Sequence, residues 1–223
     1  MHEYVALNGA RIAYRVSGDG PALVLLKNNR RPLDFPAALE LSRRFRVVQL
    51  QPVGFGAADR PDTYDFGSIG EQVLAVLDHL SINHFAVWGF SQTAAMAALT
   101  ACATSRATAL VMGGFTPFNF PTDTEMRRLE REPRLPHSAL AFWRAYRSHD
   151  WHHELRDLST PALVYIGTAD PAIKRMRHQA AVLKSLGCTY LELPDLNHHT
   201  TSLSAPTNTA LLNSITGWLN DRI

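Results

Sequence analysis

Short, continuous apolar runs alternate along this chain with segments whose apolar residues recur at helical spacing. A strand that is apolar along its whole length must be covered on both faces. A parallel sheet with helices on either side achieves this. The strand-like runs are Ala22 to Leu26, Arg46 to Leu50, Phe85 to Trp88, Ala109 to Met112, Ala162 to Ile166 and Tyr190 to Leu193. Helical patterns lie between them: Phe35 to Arg43, Ser68 to Leu80, an alanine-rich stretch reaching Thr104, Ala172 to Leu186, and Leu203 to Leu219. Ahead of the first run, Tyr4 to Leu7 and Arg11 to Val16 read as a hairpin joined by the turn signal Asn8-Gly9. The expected fold class is α/β: a mostly parallel eight-stranded sheet flanked by helices.

One stretch breaks the alternation. Residues 116–159 are polar and mostly helical in pattern, with an aromatic-rich part made of Phe142, Trp143, Tyr146 and Trp151. At roughly 40 residues this is too short for an independent domain. It reads as a short helical lid inserted into a single domain spanning 1–223.

Composition narrows the function classes. The formal net charge is +2 over 223 residues, and the densest basic stretch, Arg127 to Arg134, is interrupted by Glu130 and Glu132. Nucleic-acid binders concentrate basic charge on one face, so no nucleic-acid partner is expected. No apolar run reaches the roughly 18 residues that span a bilayer, and Met1-His2-Glu3-Tyr4 lacks the pattern of a signal peptide. The expectation is a soluble cytoplasmic protein with no membrane partner. Cys102 and Cys188 form no disulfide framework and read as packing residues. No zinc spacing occurs, so neither a metal nor a cofactor is expected. The oligomeric state is open, a homodimer included.

The segment Gly89-Phe90-Ser91-Gln92-Thr93 lies between a buried strand and an alanine-rich helix. A serine hydroxyl is a weak nucleophile until a base takes its proton, and it must stand clear of the sheet to meet a substrate. A sharp strand-to-helix turn achieves the second condition if small residues flank the serine. Gly89, Ala94 and Ala95 are small; Thr93 stands where glycine is usual. Ser91 is also a residue type that caps helices.

At this point the chain resembles the α/β-hydrolase family. Trp88 to Ala95 is similar to its nucleophile elbow, and Pro52-Val53-Gly54-Phe55-Gly56-Ala57-Ala58-Asp59-Arg60-Pro61 to its Gly-x-Gly-x-Ser-x-x-Pro loop. Pro161 to Pro171 resembles the strand carrying the acid, and Leu193 to Thr200 the loop carrying the histidine. The family order of serine, acid and histidine then implies Ser91 as nucleophile, Asp170 as orienting acid and His198 as base. Asp170 before Pro171 is also a helix-capping arrangement. His198 is preferred to His199 because Asp195 takes the place of the glycine in the family's Gly-x-x-His.

The turn after the first buried strand departs from the family. His-Gly is usual there, and here the residues are Lys27-Asn28-Asn29-Arg30-Arg31. The resemblance implies backbone N–H groups of Asn29 and Gln92 as the oxyanion hole, with Asn28 making the bend. Lys27 and Gln51 look like a substituted pair beneath the site. Arg30 can meet a substrate carboxylate or phosphate at the pocket mouth, or be a solvated surface residue. Phe90, Phe115, Phe142, Trp143, Tyr146 and Trp151 are candidates to line an apolar or aromatic pocket, and all are equally suited to a core. The implied activity is acyl hydrolysis of a small-molecule ester, lactone or thioester, or cleavage of a C–C bond beside a ketone. A lyase, isomerase or cyclase on the same fold, and a low-turnover receptor, are the alternatives.

Overall fold

A computed structural model of the chain describes residues 2–28, 36–60, 67–115, 118, 121–133, 135, 137–202 and 208–223. Its strands are β1 (Glu3–Leu7), β2 (Ala10–Ser17), β3 (Ala22–Leu26), β4 (Arg46–Gln51), β5 (Phe85–Phe90), β6 (Ala107–Gly113), β7 (Ala162–Gly167) and β8 (Thr189–Leu193). They form one sheet in the order β1-β2-β4-β3-β5-β6-β7-β8. The β1–β2 and β2–β4 pairs are antiparallel and every other pair is parallel. Asn8 and Gly9 both have positive φ, +51° and +82°, the backbone a two-residue hairpin needs.

The helices are α1 (Pro36–Leu41), α2 (Ile69–His79), α3 (Gln92–Cys102), α4 (Asp123–Glu130), α5 (His137–Ser148), α6 (Trp151–Arg156), α7 (Ile173–Ser185) and α8 (Thr209–Asn220). The expected start of the last helix at Leu203 falls outside the described residues.

Strand side chains alternate between two cores, as a period of two requires. Val24, Leu26, Val87, Leu110, Met112, Val164 and Ile166 face α2, α3 and α7. Leu23, Leu25, Ala86, Trp88, Ala109, Val111, Leu163 and Tyr165 face α1 and α8. This is why the strands read as continuous apolar runs: each face buries its own set, at about 1.5–3 kcal/mol per large side chain. Helix α3 lies against the sheet because Ala94, Ala95, Ala97 and Ala98 leave it thin, all with no exposed surface.

Helices α4 to α6 fill the interval between β6 and β7. Thr122 and Glu125 start α4 with reciprocal side-chain-to-backbone bonds, a capping box. Glu125 also reaches Arg175 on α7 at 2.7 Å, and Glu130 reaches Arg144 on α5 at 3.0 Å. Asp150 caps α6 by accepting from the backbone N–H of His153 at 3.0 Å.

Candidate active site

The parallel strands end together at one edge of the sheet, and the loops that leave them carry the residues singled out above. Ser91 sits between β5 and α3 with φ +54° and ψ −122°. A side chain in this region is strained by about 1–3 kcal/mol, so the surroundings must hold it there. The Ser91 backbone N–H donates to the Gly113 carbonyl at 2.7 Å, and its carbonyl accepts from Ala94 N–H at 3.0 Å. Thr93 Oγ1 accepts from the Phe90 N–H at 2.8 Å and donates to the Phe90 carbonyl at 3.0 Å. Thr93 thus clasps the end of the strand from the position where glycine is usual. Gly89 leaves no such choice. A Cβ there would lie 2.0 Å from the Thr93 carbonyl oxygen.

Asp170 follows β7 and is almost fully buried, at 2% exposure. Its two oxygens do two tasks. Oδ1 accepts from the backbone N–H of Ala172 at 2.8 Å, just ahead of α7. Oδ2 meets Nδ1 of His198 at 2.7 Å. The capping arrangement and the histidine partnership therefore coexist. With a carboxylate on Nδ1, that nitrogen carries the proton, and Nε2 is left with a lone pair.

The His198 loop is built on the acid loop. Asp195 has φ +57°, so the residue in the glycine place adopts the glycine-type backbone. Its N–H donates to Thr168 Oγ1 at 2.9 Å, and Ala169 N–H donates to the Leu196 carbonyl at 2.9 Å. Below it, Trp88 Nε1 donates to Tyr165 Oη at 3.2 Å, and Tyr165 Oη donates to the Thr201 carbonyl at 3.2 Å. Burial raises the Tyr165 pKa well above its ordinary value, so the phenol stays a donor. Sequence reasoning missed this relay; its signal was a polar-tipped aromatic in each of two buried strands.

His198 lies beside the elbow. Its ring centroid is 4.8 Å from that of Phe90, tilted by 52°. Gly114, with φ +56°, makes room for it: a Cβ there would stand 3.0 Å from the Phe90 ring and 3.2 Å from His198 Cε1. Gly114 was also missed, although Gly113-Gly114 directly after an apolar run is a visible signal. The structure thus joins Asp170 to His198 and sets the ring against Phe90. The Ser91 hydroxyl makes no hydrogen bond among the described residues. Such contacts are often long in a free enzyme and tighten when substrate binds.

Asn28 and Gln92 meet directly. Asn28 Nδ2 donates to Gln92 Oε1 at 2.5 Å. Asn29 and Arg30, expected at the oxyanion turn and pocket mouth, lie outside the described residues. Lys27 and Gln51 are buried, at 3% and 0% exposure, and Gln51 Oε1 accepts from Ala57 N–H at 2.9 Å.

The aromatic candidates separate into two groups. Phe90 stands at the histidine. Phe115, Phe142, Tyr146 and Trp151 are buried and pack edge to face or tilted, with Trp143 at the margin. Phe115 lies 6.0 Å from Tyr146 and 5.5 Å from Trp151 by ring centroids. Tyr146 and Trp151 also line a cavity of about 430 Å³ with Phe118, Asp123, Arg147 and His152. Ser91, Asp170 and His198 do not line that cavity. No group of three metal-ligating side chains converges among the described residues. No described helix is long and apolar enough to cross a membrane.

The sheet order and the strand-to-helix turn at Ser91 are those of the α/β-hydrolase fold. Residues 31–132 match the family model described as the alpha/beta hydrolase fold. Over 79 residues the chain is 32% identical to the proline iminopeptidase PfmaB of Pestalotiopsis fici, an alignment covering 33% of this chain and 28% of that protein. The enol-lactonase of Burkholderia xenovorans superposes with a TM-score of 0.70 at 23% identity, covering 98% of both chains. A thermophilic esterase of Thermogutta terrifontis superposes with a TM-score of 0.78 at 19% identity, covering 99% of this chain and 98% of its own.

Proposed function

We propose that this protein hydrolyses an acyl bond (an ester, lactone or thioester of a small apolar or aromatic molecule, or a C–C bond beside a ketone) through a covalent intermediate on Ser91. The observation that carries the reading is the Asp170–His198 pair at 2.7 Å, with its ring packed on Phe90, the residue before a serine held at φ +54°. In this reading Nε2 of His198 takes the Ser91 proton as Oγ attacks the acyl carbon. The tetrahedral oxyanion is met by the backbone N–H of Gln92 at the start of α3; Asn29, the second donor that the sequence suggested, lies outside the described residues. Collapse expels the leaving group, which takes the proton from His198. Water then attacks the acyl-enzyme, giving its proton to the same nitrogen, and the acid leaves as Ser91 recovers its hydrogen.

The small cap of α4 to α6 is read as sheltering the acyl group, with Phe90 the aromatic nearest the reacting centre. The likeness to an enol-lactonase and an esterase supports a carboxylic ester or lactone as the substrate class. The partial similarity to a proline iminopeptidase adds a proline peptide to the panel worth testing.

The test is turnover of p-nitrophenyl esters and aryl lactones by the protein and by Ser91→Ala. The proposal expects loss of activity by about 10³-fold or more in the variant. Turnover that survives Ser91→Ala on a native substrate would support the lyase, isomerase or cyclase reading instead. Binding without turnover would support a receptor.

A further inference from the structure

We propose that the side-chain amide of Gln92 is a specificity-determining donor, held by Asn28, that takes a second acceptor oxygen on the acyl part of the substrate. This rests on the reading of Ser91 as nucleophile. It adds to that reading the class of acyl group accepted: one bearing a ketone or carboxylate oxygen near the scissile carbonyl.

The argument begins with strand register. Leu25 on β3 pairs with Trp88 on β5. Asn28 follows the end of β3 at Leu26, and Ser91 follows the end of β5 at Phe90. Gln92 opens α3 beside them, with its side chain 7% exposed. Its Oε1 is occupied by Asn28 Nδ2 at 2.5 Å. That bond fixes the amide plane and uses its acceptor. Nε2, with two N–H donors, is buried and has no hydrogen-bond partner among the described residues.

Buried polar groups in native proteins are nearly always paired, and an orphan beside a reactive residue calls for an explanation. A core role does not supply one. An isosteric methionine would fill the same space without the desolvation penalty that an unpaired amide carries. A role in holding the loop does not supply one either, because the Asn28 bond uses only the oxygen. What remains is a donor kept for a group that arrives with the substrate. The backbone N–H of Gln92 is assigned to the oxyanion, whereas the side chain extends toward Asn28 and the end of β3. The acceptor it meets therefore belongs to another oxygen of the acyl chain. A site built to pair such an oxygen rejects the analogue lacking it, because the donor is then left unpaired.

The experiment compares p-nitrophenyl pentanoate with its 4-oxo analogue, on the full chain, Gln92→Met and Asn28→Ala. Methionine keeps the shape and the backbone N–H and removes the side-chain donor together with the oxygen that Asn28 holds, whereas Asn28→Ala removes the tether alone. The readout is the ratio of kcat/KM for the two esters, with fluorophosphonate labelling of Ser91 scored separately. The proposal expects the oxo ester to be preferred, and the ratio to fall by about tenfold or more in Gln92→Met. A smaller fall of about threefold is expected in Asn28→Ala, where the amide loses its tether. A merely structural role would lower both rates together and leave the ratio alone. An unchanged ratio with Ser91 still labelled overturns the assignment. If Gln92→Met gives no folded protein, the ratio in Asn28→Ala decides by the same criterion. Failure of the unaltered protein to label at Ser91 would remove the nucleophile reading, and the donor assignment would fall with it.

Discussion

At Ser91 a strained backbone, a helix start and the proposed nucleophile coincide, and small neighbours carry the strain. Gly89→Ala tests this. The added Cβ would lie 2.0 Å from the Thr93 carbonyl, and backbone cannot give way as a flexible side chain can. The variant should lose about 2–3 kcal/mol in urea unfolding; a change within about 0.5 kcal/mol would contradict the account. Asp170→Asn tests the other half of the site. The amide keeps the shape but cannot stabilise a charged imidazole or hold its tautomer. On an ester that the protein turns over, kcat should fall by about 10³- to 10⁴-fold, with the unfolding midpoint measured alongside to separate chemistry from folding. Gly89 and Asp195 were legible in the sequence because each carries a local geometric requirement, whereas Asp170 rested on the family resemblance, since read locally it caps a helix. Gly89 gives room and Asp195 holds a positive φ. Gly114 and the Trp88–Tyr165–Thr201 relay leave local traces in the sequence, but their partners do not, because those contacts join segments far apart in the chain.

At the scale of elements, strands were easier to read than the helices between β6 and β7. Ala22 to Leu26 matched its observed bounds, whereas the run Ala109 to Met112 extends at both ends to Ala107–Gly113, because pairing with the neighbouring strands continues past the last large apolar side chains. The expected helical character of 116–159 resolves into three short helices, and the turns between them depend on capping side chains and ion pairs that periodicity does not reveal. Glu125 is the clearest of these. Burial alone would push its carboxyl up, but the Arg175 guanidinium and the Thr122 N–H and hydroxyl outweigh it, and the group sits below its ordinary value. A carboxyl depressed in the folded state stabilises the fold fully above its unfolded pKa, and that contribution fades as pH falls through the lower folded value. Glu125→Gln should therefore cost about 1 kcal/mol at pH 7, for a pair about one-third exposed and a weakened cap. The difference from the unaltered protein should shrink on acidification below the ordinary glutamate range. Urea midpoints at pH 7 and pH 3 measure it; an equal difference at both would contradict the assignment.

For the whole molecule, the sheet is a device for bringing separated loops to one edge. Ser91 follows β5, Asp170 follows β7 and His198 follows β8, and the pairings β5–β6, β6–β7 and β7–β8 set their order. In the aromatic-rich segment Phe142 and Tyr146 bury α5 against the rest, while Tyr146 and Trp151 also line a cavity. Both thiols are held in the neutral form. Burial and the nearby Glu154 push Cys102 up to about 12, and burial pushes Cys188 up to about 11. The central claim is that His198, oriented by Asp170, activates Ser91. The most direct measurement is the rate and site of fluorophosphonate labelling, read by intact mass and peptide mapping, for the protein, Ser91→Ala and His198→Ala. The account predicts one adduct, on Ser91, absent from Ser91→Ala and formed about 10³-fold or more slowly in His198→Ala. An adduct elsewhere, or labelling of Ser91 at the same rate without the imidazole, would contradict it.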